Sequence, residues 1–251
     1  MFNYRFLLKE LVIKGIKLKY RRSYLGILWS LIEPLLTMVV LTVVFGQLLG
    51  NGDRLFPVYI LTGRLLYTFF STSTKTAMRS IRANSAMIKK VYLPKYLYPV
   101  SSCIYTYVIF LISLLDLILV MFLMQMPFTL QILWAIVPIF ILFFLALGVS
   151  MILSTIAVFF RDLEYLWDVI LMLIMYTCAI FYKIESFKGT ATIWVFKLNP
   201  LYGLISNFRA CLYGTPLHPM LLLYAALFSI ATCVIGTFLF YKQQDKFILH
   251  I

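Results

Sequence analysis

The sequence predicts an all-α integral membrane protein: six transmembrane helices, an N-terminal amphipathic interface helix and a re-entrant helical pair before the last span. Three observations carry this. Of 251 residues, 63% are hydrophobic and only 12% charged, where a soluble domain carries about 25% charged residues. The apolar runs are continuous and about 20 residues long, enough to cross a hydrocarbon core of about 30 Å, and they lack the alternation of a β-barrel strand. The net charge is +13, and the excess sits beside apolar runs, where it sets topology and meets anionic headgroups rather than nucleic acid.

Residues 2–22 read as the interface helix. Leu8, Leu11, Val12 and Ile16 share one face, and Glu10, Lys14, Lys17 and Arg21 share another. That pattern lays a helix along the cytoplasmic surface. The stretch lacks the continuous apolar core of a cleavable signal peptide. Span one is 25–49. Its basic front, Lys17, Lys19, Arg21 and Arg22, holds its N-terminus in the cytoplasm. Pro34 kinks it, and Glu33, its one charge, turns toward protein or water.

Span two, 56–78, returns inward; Ser71, Thr72, Ser73 and Thr74 are too polar to face lipid. The loop 79–99 carries Arg79, Arg82, Lys89, Lys90 and Lys95, and no acidic residue occurs between Asp53 and Asp116. Within it, 84–93 form a short helix capped by Asn84 or Ser85 and limited by Pro94. Met87, Ile88, Val91 and Tyr92 give that helix an apolar stripe. Spans three, four and five cover 100–124, 132–160 and 166–182, with a cytoplasmic turn, FFRDLEYLWD, between the last two. Residues 183–219 lie on the extracytoplasmic side, and their apolar pieces are too short to span, so they fit a re-entrant or interfacial helical pair, the rival being a helix flat on the outer leaflet. Asn199 and Pro200 cap and start a helix there, and Gly214 ends it. Leu201, Leu204, Ile205, Phe208 and Leu212 line one face of it. Span six is 220–241, and both termini are cytoplasmic.

Catalytic chemistry is missing. The chain has no GxxxxGK[ST] phosphate loop and so no ATP site of its own. Cys103, Cys178, Cys211 and Cys233 are scattered, and His218 and His250 are isolated, without metal-ligand spacing. Arg64 and Asp116 each lie about 10–12 Å from the outer end of their spans at 1.5 Å per residue. A lone charge in a span costs on the order of 2.5–3.5 kcal/mol, so the two are expected to form an intramembrane charge pair.

Five strings carry a resemblance: KYRRSYLGILWSLIEPLL (19–36), YILTGRLLYTFF (59–70), NSAMIKKVYLPKYLYPVS (84–101), VFFRDLEYLWDV (158–169) and LNPLYGL (198–204). In this order, over nearly the whole chain, they resemble the permease subunits of type 2 ABC transporters. The branch is that of the polysaccharide exporters, of O-antigen, teichoic acid or capsule type. The resemblance implies a homodimer in the bacterial cell (inner) membrane, with two copies of an ABC ATP-binding subunit that hold ATP and Mg. It implies no cofactor and no enzyme activity in this chain, which would move a lipid-linked glycan outward.

It further implies an ATPase-coupling helix at 85–93, with Ser85, Met87, Ile88, Lys89, Lys90, Val91 and Tyr92. A second coupling contact would follow span four, with Asp162, Glu164 and Asp168. Glu164 and Asp168 repel each other at i, i+4 unless a basic surface opposes them. The family's channel is lined by aromatics, for which Tyr67, Phe69, Phe70, Tyr176, Phe181 and Tyr182 are the candidates here; 183–214 would form the exit. In the rival reading, Arg64 faces that channel and meets a phosphate of the cargo. Other readings are a type 2 ABC exporter of a drug or lipid, a membrane enzyme of glycan assembly, or a proton-coupled carrier. The dispersed carboxylates, Glu33 and Asp116 within spans, disfavour the last two.

Overall fold

The computed structural model describes residues 4–21, 23–48, 53–91, 93–182 and 193–250. Its elements are helices. α1 (Arg5–Tyr20) has Leu8, Leu11, Val12 and Ile16 half-buried and Glu10, Lys14, Lys17 and Arg21 exposed. It crosses α5 where Gly15 leaves room for Tyr105: a Cβ at Gly15 would fall 2.5 Å from that ring. A turn with Gly26 at φ +53°, in the left-handed region that suits glycine, leads into α2 (Trp29–Leu48).

α3 (Phe56–Ala83) is the axis of the subunit. It packs on α2 and on four later helices, α5 (Leu97–Leu123), α6 (Ile136–Phe159), α7 (Leu163–Thr177) and α9 (Pro200–Tyr213). Its 28 residues reach about 42 Å. α4 (Ser85–Ile88) is a single turn. α5 (Leu97–Leu123) is followed by a 3₁₀ segment, Leu130–Ala135, that leads into α6 (Ile136–Phe159). α7 (Leu163–Thr177) buries only Trp167 and Leu171. α8 (Ile193–Leu198) and α9 (Pro200–Tyr213) are joined at Asn199, whose side chain accepts the Leu201 N–H at 3.0 Å. Gly214, at φ +67°, ends α9. α10 (Pro219–Gln243) and the short α11 (Phe247–His250) complete the chain.

Four of these helical stretches are long and apolar enough to cross a membrane: Gly26–Gln47, Leu97–Leu123, Leu130–Phe159 and Pro219–Leu249. The six-span expectation adds α3 and α7. α3 fails on composition because Arg64, Lys75, Arg79 and Arg82 lie on it, and α7 fails on length. A helix enclosed by others has no need of an apolar surface, since its polar groups meet protein rather than lipid.

α6 and α10 make the most extensive helix pair. A Cβ on Gly148 would fall 2.5 Å from the Cys233 nitrogen, and one on Gly236 would fall 2.7 Å from the Gly148 carbonyl. Glycine lets the two backbones touch, which gains dispersion contact where lipid tails remove any hydrophobic drive between helices. The main core runs between α3, α5, α6 and α9; a second cluster, at the Ala83 end of α3, joins Ile81, Ile88, Tyr98, Val158 and Phe247.

Candidate transport path and coupling contacts

A polar crevice lies between α2, α3 and α5. On α2, Ser30, Glu33 and Thr37 recur at i, i+3, i+7; on α3, Arg64, Thr68 and Thr72 recur at i, i+4, i+8. These spacings put each trio on one helix face. The trios line a common cavity of about 70 Å³, closed toward the α1 end by Lys19 and Tyr20. Pro34 has no N–H to give the Ser30 carbonyl, its i−4 partner. Ser113 of α5 donates to that carbonyl instead, at 2.9 Å. Burial raises the Tyr20 phenol above its ordinary value, and its approach to Ser30 offsets part of the rise.

Arg64 and Asp116 are not brought together. The ion pairs among the described residues are Lys75–Asp168, Arg79–Glu164 and Arg82–Glu164. The Arg64 guanidinium reaches over α7 to the Met175 sulfur at 3.9 Å, while Asp116 is buried with one carboxyl oxygen unpartnered. Equal depth fixed the height of both residues but not their rotation about the helix axes. The α3–α5 seam is filled instead by Phe69 stacked on Phe110 and edge-on to Tyr107.

A ladder of polar contacts ties α7 to α3. In chain order along α3, Arg64 meets Met175, and Tyr67 donates to the Leu171 carbonyl at 2.9 Å. Trp167 donates to the Thr74 hydroxyl at 3.0 Å. Lys75 pairs with Asp168 at 2.7 Å and Arg79 with Glu164 at 2.9 Å. Arg82 reaches Glu164 at 3.6 Å and also donates to the Ala157 carbonyl. The basic surface opposing Glu164 and Asp168 within the chain is therefore α3. Asp162 and Arg161 remain exposed.

The aromatic candidates divide. Tyr67, Phe69, Phe70 and Phe181 are buried within the subunit, which corrects their expected place on a channel wall. Phe70 lies against Trp167, and Phe181 stacks on Phe45 at 4.6 Å. Core packing claims them because α3 is surrounded. Tyr176 is 54% exposed, and Tyr182 packs edge-on against Phe196. In the predicted coupling helix, Ile88 turns inward to the second buried cluster, a second correction. Met87 and Ser85 are half-buried, and Lys89, Lys90 and Val91 are exposed. Tyr92 lies outside the described residues, as do 183–192 of the predicted exit.

No motif or spacing in the sequence singles out Arg209. It is buried, with its guanidinium 3.4 Å from the centre of the Tyr59 ring. It donates to the Thr62 hydroxyl and to the Tyr59 and Ala179 carbonyls at 2.8–3.2 Å. One side chain thus fastens α9 to the start of α3 and to the turn after α7. The counter-charges Lys75, Arg79 and Arg82 were also missed. Their i, i+4, i+7 spacing against Asp168 and Glu164 in reverse order was the available signal.

The chain is similar along its length to named transport proteins. It is 28% identical to the O-antigen export system permease protein RfbA of Klebsiella pneumoniae, over 98% of this chain and 96% of the relative. It is 29% identical to the protein of the same name from Myxococcus xanthus, over the same shares. Identity to the polysialic acid transport protein KpsM of Escherichia coli is 23%, over 94% of this chain and 93% of the relative. Residues 7–213 match the family model described as ABC-2 type transporter, and the chain belongs to that family of multi-pass membrane transport proteins.

Proposed function

We propose that this chain is the membrane-spanning permease of an ATP-driven exporter that moves a lipid-linked cell-surface polysaccharide from the cytoplasmic to the outer side of the cell membrane. The observation that carries the reading is its similarity, over 98% of its length, to O-antigen export permeases. Two copies of the chain work with two copies of an ATP-binding subunit, which holds ATP and Mg and performs the hydrolysis. α3 and α7 are the remaining two spans, and both termini are cytoplasmic. α3 qualifies because its charges meet protein. α7 qualifies because the turn that follows it, Cys178, Ala179, Ile180 and Phe181, is buried in the protein and completes the crossing.

α8 and α9 form the re-entrant exit; the burial of most of α9 and the Arg209 clip support a helix set into the protein rather than lying on the outer leaflet. The exposed faces of α2 (Leu36, Val40, Val43) and α7 (Val169, Met172, Tyr176) flank the polar crevice. They face the partner copy, and the glycan passes between them, with Arg64 at the crevice available to a phosphate of the cargo. The test is deletion of the gene in its host. Lipid-linked polysaccharide should accumulate on the inner side of the membrane while synthesis continues. Surface polysaccharide at wild-type level, in a strain with no second exporter, would reject the assignment.

A further inference from the structure

We propose that the groove between α6, α10 and the start of α5 seats one inner-leaflet phospholipid with an anionic headgroup, held at Lys95. The inference is separate from the nature of the cargo. The groove encloses about 620 Å³, with Leu147, Met151, Thr237 and Phe240 among its walls and Lys95 and Tyr241 at its mouth. Its lining on α10 runs from Cys233 to Tyr241, and Gln244 and Asp245 follow just past the helix end. At 1.5 Å per residue the α10 part is about 12 Å, most of one leaflet, which is half of a hydrocarbon core of about 30 Å. Polarity changes along this length. The deep end is apolar, and the end toward Gln244 carries Lys95, Tyr96 and Asp245.

The surrounding face is built for lipid. Val234, Phe238 and Tyr241 of α10 are 63%, 65% and 76% exposed. A furrow of this size in such a face is filled by an acyl chain, because an empty one forfeits dispersion contacts on every wall. The mouth selects the headgroup. The Lys95 ammonium has three donors and spends one on the Gln244 carbonyl at 2.5 Å. That bond and the Phe247 ring, 6.0 Å away, fix it at the groove's end. Asp245 is the one acid that lines the groove, and Lys242 and Lys246, close to it in sequence, are exposed. A juxtamembrane cation near an anionic leaflet gains about 1 kcal/mol. The occupant is therefore a phospholipid with a net negative headgroup, such as phosphatidylglycerol, one chain in the groove and its phosphate at Lys95.

The test uses the full chain purified with its ATP-binding partner in detergent. Native mass spectrometry is read with phosphatidylglycerol, phosphatidylethanolamine and their equal mixture. Wild type should retain one phosphatidylglycerol per chain, at least five-fold in preference to phosphatidylethanolamine. Lys95→Gln should abolish the preference, Lys95→Arg should keep it, and Thr237→Trp should reduce retention of both lipids. A photoactivatable phosphatidylglycerol on wild type should label peptides containing Thr237 or Tyr241, which reads the site without any substitution. Equal retention of the two lipids by wild type, or labelling confined to other faces, overturns the proposal.

Discussion

The Ser30 carbonyl accepts the Ser113 hydroxyl at 2.9 Å in place of the helix bond that Pro34 removes. A kink in one span is thus held by a neighbour. Ser113→Ala should leave that carbonyl unpaired and cost about 0.6–1 kcal/mol, the range for interhelical hydrogen bonds in membranes. Restoring the N–H with Pro34→Ala in the same chain should recover part of the loss. Thermal unfolding in detergent, read as a double-mutant cycle, checks both.

The ladder from α3 to α7 predicts that the acids after α6 act through their own chain. Charge reversal of Lys75→Asp or Asp168→Lys should each lower export, and the double swap should restore it. Both side chains are partly exposed, 39% and 49%, so solvent screening keeps the stability effect within about 1 kcal/mol. The readout is surface polysaccharide per copy of permease in the membrane. Failure of the double swap to rescue would mean that the acids meet something other than α3.

Arg64 and Asp116 should behave independently. Their single and double alanine variants should add in unfolding free energy within about 0.5 kcal/mol, as for sites without contact. Asp116→Asn should be neutral or stabilising, because a buried carboxyl oxygen left unpartnered is costly. Arg64→Ala should lower export more than it lowers stability, since its one hydrogen bond among the described residues is to a thioether sulfur. A non-additive cycle would show that the two side chains meet.

Gly148→Ala should destabilise by about 1–3 kcal/mol, the usual cost of overpacking. The new methyl would press on backbone atoms of α10, which have no rotamer to yield. Gly26→Ala offers the comparison: no atom lies within 4 Å of its Cβ position, so only the strain of its φ of +53° is felt. Melting temperatures of the two variants measure the difference.

Met87→Ala with Tyr92→Ala should release the ATP-binding partner or uncouple hydrolysis from export. Lys89→Glu with Lys90→Glu should act more weakly and fade at high salt. Ile88→Ala should instead lower stability, because Ile88 is buried against Ile81 and Phe247. Co-purification and ATPase assay in lipid separate these outcomes. Intact association and transport in the Met87/Tyr92 variant would remove 85–93 as the coupling segment.

What was legible in the sequence was local or periodic. The α9 start at Asn199–Pro200 and its stop at Gly214 follow from caps that act over a few residues. The two faces of α1 follow from helical spacing. What was not legible depended on rotation and neighbours. Tyr67, Phe69 and Phe70 cover several faces of one helix, and only its central position decides that all are core. Arg79 finds Glu164 across 85 positions of sequence, a distance over which pattern carries no direction. Arg209 looked like surface charge because nothing nearby in sequence announces the carbonyls that enclose it.

The touching backbones at Gly148 and Gly236 leave α6 and α10 no side chain to repack between them. α7 is seated on α3 by directional polar bonds and buries only two side chains. Displacing α7 therefore costs less packing than parting α6 from α10.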